Sequence, residues 1–118
     1  MTQIRVKRIY DSASPEDGCR ILVDRLWPRG VSKAKAALQF WARDVAPSDE
    51  LRQWYRHDPN KWPEFKRRYF AELRNNTEAV EALRAYLHND VVTLLFSSQE
   101  RALNNAHALR AFLDAEDT

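Results

Sequence analysis

The sequence predicts an α/β fold, in which a small, mostly parallel sheet is flanked by helices in a single three-layer domain. Apart from Arg20 and Thr93, the two runs at residues 20–23 and 91–96 are apolar at consecutive positions, as in strands that are buried on both faces. Stretches with helical periodicity alternate with these runs, which favours a parallel sheet covered on both sides. The length of 118 residues suits one domain with its own core, so we expect residues 1–118 to form one unit.

The other elements follow from local patterns. A first strand is predicted at residues 4–10, a loop at 11–18, and a strand or extended segment at 39–45. Helices are predicted where a capping residue or proline precedes an apolar stripe. These starting residues are Ser32, Ser48, Pro63 and Thr77, and the last helix carries a stripe of Ala102, Ala106, Leu109 and Leu113.

Composition excludes several classes of protein and of chemistry. No apolar run approaches the roughly 20 residues of a membrane helix, and the first seven residues do not resemble a secretory signal, so we expect a cytoplasmic protein without a membrane partner. The lone Cys19 cannot form an internal disulfide. His57, His88 and His107 lack zinc-ligand spacing, so no metal is expected. The two glycines exclude a glycine-rich phosphate loop, and no cofactor is expected.

Basic residues are concentrated in the first third of the chain. The net charge is only +2, but residues 1–35 hold eight Lys or Arg against four Asp or Glu. Such local basicity favours an anionic ligand over indiscriminate nucleic-acid binding, which usually needs a larger excess. The alternative is a solvated basic edge.

The main candidate site is the segment 24–30, Asp-Arg-Leu-Trp-Pro-Arg-Gly, directly after a predicted buried strand. Ligands of open parallel sheets gather beyond the carboxyl ends of the strands. Arg25 and Arg29 can each donate two hydrogen bonds to a phosphate or carboxylate, and Trp27 can stack on a ring. In the alternative interpretation Asp24 pairs with an arginine and Trp27 belongs to the core.

Polar residues after the other strands complete the predicted site. Ser97, Asn104 and Asn105 follow the last strand and can orient a polar ligand, unless they only cap the helix. Arg8 lies at the end of the first strand, where it is favoured over Lys7 because adjacent strand residues point to opposite faces. Asp24 and His57 are the candidate catalytic groups, although His57 can equally be an ordinary turn residue. A thiol mechanism of the rhodanese type is disfavoured, because Ser97 stands where a cysteine would be needed.

Several of these motifs together resemble the YeaO-like proteins, the bacterial domain of unknown function number 488. The resemblance lies in residues 7–11, 17–30, 93–97 and 104–106, and spans nearly the whole chain. It implies a small α/β fold and brings no established activity. Many relatives have Asn-His-Ala where this chain has Asn104-Asn105-Ala106; Asn105 cannot replace a histidine as acid or base, whereas a binding role survives the change.

The leading hypothesis is therefore a domain that binds a small anionic, nucleotide-like ligand in a strand-end cleft, with or without catalysis. The alternative is a nucleic-acid-binding or regulatory module that uses the basic first third of the chain and exposed aromatic residues. A third hypothesis is an interaction domain with Trp54, Trp62 and Tyr55 as a partner surface. The sequence predicts no oligomeric state.

Overall fold

A four-stranded parallel sheet forms the centre of the structure, a computed structural model that describes residues 2–116. The strands are β1 (Gln3–Arg8), β2 (Cys19–Leu22), β3 (Phe40–Trp41) and β4 (Val91–Phe96). The helices are α1 (Lys33–Ala36), α2 (Asp49–Tyr55), α3 (Trp62–Arg74), α4 (Thr77–Arg84) and α5 (Asn105–Glu116). Short 3-10 turns lie at Pro15–Asp17, Arg43–Val45 and Pro59–Lys61.

Strand β4 lies between β1 and β2 in the order β1-β4-β2-β3, and every pairing is parallel. Arg8 is paired with Phe96 at the end of β1, and Leu22 with Leu95 at the end of β2. This arrangement confirms the predicted α/β class and parallel sheet. Because the strands run in one direction, the residues that follow β1, β2 and β4 meet at one edge of the sheet.

The two faces of the sheet are covered differently. Helices α2 to α5 pack on one face, where Ile21 and Leu94 join a large core. Residues 27–38, which include α1, help to cover the other face, where Leu22 and Leu95 form a smaller core with Val31. The alternation of consecutive strand residues between two cores explains why both runs, apart from Arg20 and Thr93, are apolar on both faces.

Local patterns predicted most helix starts but not all element bounds. Ser32 Oγ accepts a hydrogen bond from Lys35 N, and Ser48 Oγ accepts one from Leu51 N, so both predicted N-caps are confirmed. The predicted Thr77 cap is wrong, because α4 begins at Thr77 and Asn76 occupies the cap position. The predicted apolar stripe of the last helix is wrong at its first residue, because Ala102 lies before α5 and is exposed.

The extended segment predicted at residues 39–45 is only partly extended. Strand β3 has two residues, and the chain then turns through the 3-10 segment Arg43–Val45. Helix α1 is similarly short, because Ala37 adopts a left-handed conformation with φ of 49°. No helix within the described chain is long and apolar enough to cross a membrane.

A close backbone contact closes the amino-terminal edge of the sheet. Gly18 has a φ of +63°, and a Cβ added there would lie 2.4 Å from the carbonyl oxygen of Val91. Only glycine combines that φ with so near a neighbour. Strands β2 and β4 therefore begin side by side.

Asp17 joins the loop before β2 to the sheet through a buried ion pair. Its carboxylate is 2.5 Å from Arg20 Nη1 and 3.0 Å from Lys7 Nζ, and only 1% of the residue is exposed. Burial opposes its ionisation, but hydrogen bonds from Ser14, Lys7 and Arg20 outweigh burial and hold the pKa of Asp17 below its usual range. Thr93 Oγ1 also donates to the Asp17 carbonyl, at 2.7 Å.

Substitution Asp17→Asn should lower the free energy of unfolding by about 3–5 kcal/mol, because it leaves the buried Arg20 guanidinium without its counter-charge. The matched control is Asp11→Asn, which breaks a surface pair with Arg101 at 2.9 Å. That control should cost less than about 1 kcal/mol. Urea unfolding followed by circular dichroism measures the free energy of unfolding of both variants. Equal losses of free energy would contradict a stabilising role of the buried ion pair.

Candidate functional site

A cavity of about 710 Å³ opens at the carboxyl ends of β1, β2 and β4. Most of the residues singled out in the sequence line it. These are Arg8, Asp24, Arg25, Trp27, Arg29, His57, Ser97 and Asn105. The predicted convergence of segment 24–30 with the residues after β1 and β4 is thus present in the structure. Asn104 alone among the named candidates does not line the cavity.

Among the lining residues, Asp24, Ser97 and Asn105 form a hydrogen-bonded group, here called the Asp24 network. Asp24 Oδ2 accepts hydrogen bonds from Ser97 N at 2.8 Å and Ser97 Oγ at 2.7 Å. Asp24 Oδ1 accepts one from Asn105 Nδ2 at 3.0 Å. Neutral donors rather than an arginine thus bind the carboxylate, and they connect the ends of β2 and β4 to the start of α5.

Two cavity arginines are held by backbone carbonyl groups. Arg8 Nε donates to Ser98 O at 2.9 Å, and Arg25 Nη2 donates to Ala46 O at 3.1 Å. A carbonyl orients a guanidinium but does not neutralise its charge. Both side chains consequently keep a full positive charge beside the cavity.

Two further arginines, Arg29 and Arg52, line the cavity from more exposed positions. Arg52 forms a surface ion pair with Asp49 at 3.2 Å. Within residues 2–116, the guanidinium of Arg29 has no ion pair. The backbone carbonyl of Arg29 accepts a hydrogen bond from Tyr10 Oη at 2.8 Å. These side chains can reorient towards a ligand without losing buried contacts.

Trp27 has a structural role as well as a place at the cavity. Its Nε1 donates to Val31 O at 2.7 Å, and its ring meets Trp41 edge to face at 5.4 Å. The ring is half-buried and packs against the smaller core, so the core interpretation and the lining interpretation both hold. Its orientation is therefore fixed before any ligand arrives.

Tyr55 and Phe65 contribute aromatic rings to the lining of the cavity. Their rings stack with centroids 4.2 Å apart, and Tyr55 Oη donates to Leu103 O at 2.7 Å. Burial raises the pKa of Tyr55 to about 12, so the phenol stays neutral at physiological pH. Tyr55 is 3% exposed, which corrects its assignment to a partner surface with Trp54 and Trp62.

Asn104 is buried and caps α5. Its Oδ1 accepts a hydrogen bond from His107 N at 3.1 Å, and its Nδ2 donates to Glu100 O at 2.8 Å. These are the bonds of an N-cap residue, the alternative that the sequence left open. Asn104 thus positions Asn105, which follows it and reaches the cavity.

Burial lowers the pKa of His107, and Arg110 lowers it further against the opposing effect of Glu100. A histidine whose pKa is lower in the folded protein than in the unfolded chain favours the folded state at pH values above the pKa of the unfolded chain. This contribution is lost as the pH falls below about 6.5, because the unfolded chain then binds the proton more readily. Stability relative to His107→Gln should therefore decline between about pH 7.5 and pH 5.5. Urea unfolding of both proteins across this range measures the difference, and a constant difference would contradict the assignment.

His57 lies at the cavity mouth in an unusual backbone conformation. Its φ is 55°, the preceding Arg56 has a φ of 48°, and its ring lies 5.6 Å from that of Tyr55. Two successive residues in the left-handed region are uncommon, so the turn after α2 is tightly constrained. A catalytic role for His57 or Asp24 stays a prediction.

Among residues 2–116, no cysteine lines this cavity. Cys19 is buried at the start of β2, at the opposite end of the sheet, and burial raises the pKa of its thiol. Within residues 2–116, no group of three or more His, Cys, Asp or Glu side chains is placed to hold a metal ion.

Sequence comparison assigns the chain to a family. The model DUF488-N3i, described as the inactive DUF488-N3 subclade, matches residues 3–118. The chain belongs to this family. This assignment confirms the resemblance to YeaO-like proteins and its extent along the chain.

Similar proteins cover almost the whole chain. Uncharacterised proteins of Mycobacterium tuberculosis and Mycobacterium bovis are each 41% identical over 113 residues, which is 96% of this chain and 95% of theirs. The uncharacterised protein YeaO of Escherichia coli is 38% identical over 110 residues, 93% of this chain and 96% of its own. No solved structure matches significantly.

Sequence reasoning missed part of the cavity lining, notably Tyr10, Pro47, Tyr55 and Phe65. Tyr10 lies two residues after Arg8, at the end of the predicted first strand, and that position could have indicated it. Tyr55 and Phe65 lie on the apolar faces of α2 and α3, where nothing in the local pattern separates a core residue from a lining one.

Substitution Asp24→Ala should lower the free energy of unfolding by about 1–3 kcal/mol, because it removes the acceptor of both Ser97 donors and one of the two acceptors of Asn105 Nδ2. Asp24→Asn is the matched control, since its amide oxygen can still accept both hydrogen bonds from Ser97 and Asn105 keeps its bond to Val23 O at 3.2 Å. That variant should stay within about 1 kcal/mol of the original protein. Equal losses in urea unfolding would contradict the network.

Proposed function

We propose that this protein binds a small anionic, nucleotide-like ligand in the strand-end cavity. The observation that carries the proposal is the charge of the lining: four arginines, Arg8, Arg25, Arg29 and Arg52, face one carboxylate, that of Asp24. Guanidinium groups bind phosphate and carboxylate with paired hydrogen bonds, so they suit an anion better than a neutral molecule.

The size and the remaining lining support a ligand larger than a bare ion. A volume of about 710 Å³ lies within the range of small-molecule sites. Trp27 and Tyr10 offer ring surfaces beside the arginines, and the Asp24 network offers polar groups. A phosphate or carboxylate attached to a polar or cyclic body matches this combination.

Binding without catalysis is the role we favour. The matched subclade is described as inactive, and the Asp24 carboxylate is bound by Ser97 and Asn105. In this proposal Asp24 and His57 orient the ligand rather than transfer protons. A cytoplasmic location remains the corresponding expectation.

The alternative, nucleic-acid binding, makes a different prediction about salt. A protein that neutralises several backbone phosphates releases counter-ions, so its affinity falls steeply as salt rises. Binding of adenosine monophosphate that is stronger than binding of an oligonucleotide, with a shallow dependence on salt, would favour the cavity ligand.

The double substitution Arg29→Ala with Arg52→Ala should weaken binding of adenosine monophosphate by about tenfold or more. A lost charge-assisted hydrogen bond costs about 1.5–3 kcal/mol, and tenfold corresponds to about 1.4 kcal/mol. Both side chains have only surface contacts, so the fold should be retained. Isothermal titration calorimetry measures the dissociation constants.

The matched control removes the same charge from the exposed surface of α3, through Arg67→Ala with Arg74→Ala. This control should bind the nucleotide as the original protein does. Loss of affinity in both double variants would indicate a general charge effect, and unchanged affinity in both would overturn the cavity as the binding site.

A further inference from the structure

We infer that the cavity contains two anion subsites, and that its ligand carries two phosphate or carboxylate groups separated by a hydroxyl-bearing unit. This inference rests on the proposed function and deepens it. It follows from the distribution of the four arginines over two separate parts of the lining.

The first subsite, here called the β1 wall, consists of Arg8, Tyr10 and Arg29. The guanidinium of Arg8 lies 4.6 Å from the ring centre of Tyr10, and Tyr10 Oη donates to Arg29 O at 2.8 Å. These contacts place the Arg8 guanidinium and the backbone of Arg29 beside one aromatic ring at the end of β1, and the exposed Arg29 side chain lines the same cavity. Tyr10 also packs against the smaller core, so this wall lies towards the face covered by residues 27–38.

The second subsite, the α2 wall, lies towards the opposite face of the sheet. The Arg25 guanidinium is held in this wall by a hydrogen bond that its Nη2 donates to Ala46 O at 3.1 Å. Arg52 projects from α2, three residues before Tyr55, whose ring belongs to the larger core. This wall therefore also has two arginines and an aromatic surface, but it is built on different elements.

The Asp24 network separates the two walls. Asp24 and Ser97 follow the two central strands, β2 and β4, and Asn105 begins α5. A carboxylate at this position repels an anionic group and accepts hydrogen bonds from a hydroxyl. The lining thus alternates cationic, acceptor-rich and cationic regions.

One anionic group cannot satisfy both walls. Within residues 2–116, Arg8, Arg25 and Arg29 form no ion pair, and Arg52 has only its exposed pair with Asp49. One anionic group on the β1 wall would leave Arg25 without a counter-charge, and one on the α2 wall would leave Arg8 and Arg29 without one. A ligand with an anion at each end and a hydroxyl in the middle matches all three regions.

A matched pair of probes tests the inference: adenosine 5′-monophosphate, and the adenosine bisphosphate that carries phosphates on its 3′ and 5′ oxygens. They differ by one phosphate, and both carry a ribose hydroxyl. Isothermal titration calorimetry should show that the bisphosphate binds the original protein at least about tenfold more tightly, since a second charge-assisted contact is added.

Single substitutions then separate the walls. Arg29→Ala weakens only the β1 wall and Arg52→Ala only the α2 wall. Each should reduce bisphosphate affinity by about tenfold, whereas monophosphate affinity should fall no more than about twofold, because that ligand can use the intact wall. Arg74→Ala is the control, and thermal unfolding of each variant verifies that the fold is kept.

Each outcome distinguishes the inference from the proposed function. If the monophosphate binds but the bisphosphate gains nothing, or if only one of the two substitutions weakens the bisphosphate, the two-subsite inference is wrong while the proposed function stands. If neither nucleotide binds, and the corresponding mono- and dicarboxylates also fail, the proposed function is wrong and the inference falls with it.

Discussion

The parallel pairing of β4 between β1 and β2 is the constraint on which the rest of the structure depends. Parallel strands return through crossovers, so each strand ends at the same edge of the sheet. The carboxyl ends of three adjacent strands, with Arg8, Asp24 and Ser97 at or just beyond them, thereby meet at one cavity although they are far apart in sequence. Helix α5 starts at that edge and adds Asn105.

The hydrogen bonds of Asp24 determine the electrostatic character of that edge. If the carboxylate paired with Arg25, these two charges would cancel each other within the protein. Ser97 and Asn105 instead satisfy the carboxylate with neutral donors, and Arg25 is held by a carbonyl group. The positive charge of the arginines is therefore not cancelled within the protein.

The sequence predicted the elements whose signals are local. The apolar runs identified β2 and β4 because their consecutive residues enter two cores, and the serine caps located α1 and α2 through bonds spanning three residues. The Asp24 end of the cavity followed from strand direction. The roles of Asn104 and Tyr55 did not, because an N-cap and a ligand-binding amide have the same residue type, and a lining tyrosine follows the same helical stripe as a core tyrosine.

The two edges of the sheet differ in what they tolerate. At the amino-terminal edge, Gly18 meets the backbone of β4 so closely that a methyl group has no space, and any replacement there displaces a strand. At the carboxyl-terminal edge the chemistry is supplied mainly by side chains that project from loops and helix ends. Ordinary substitutions can therefore change the side chains that line the cavity without altering the strand register.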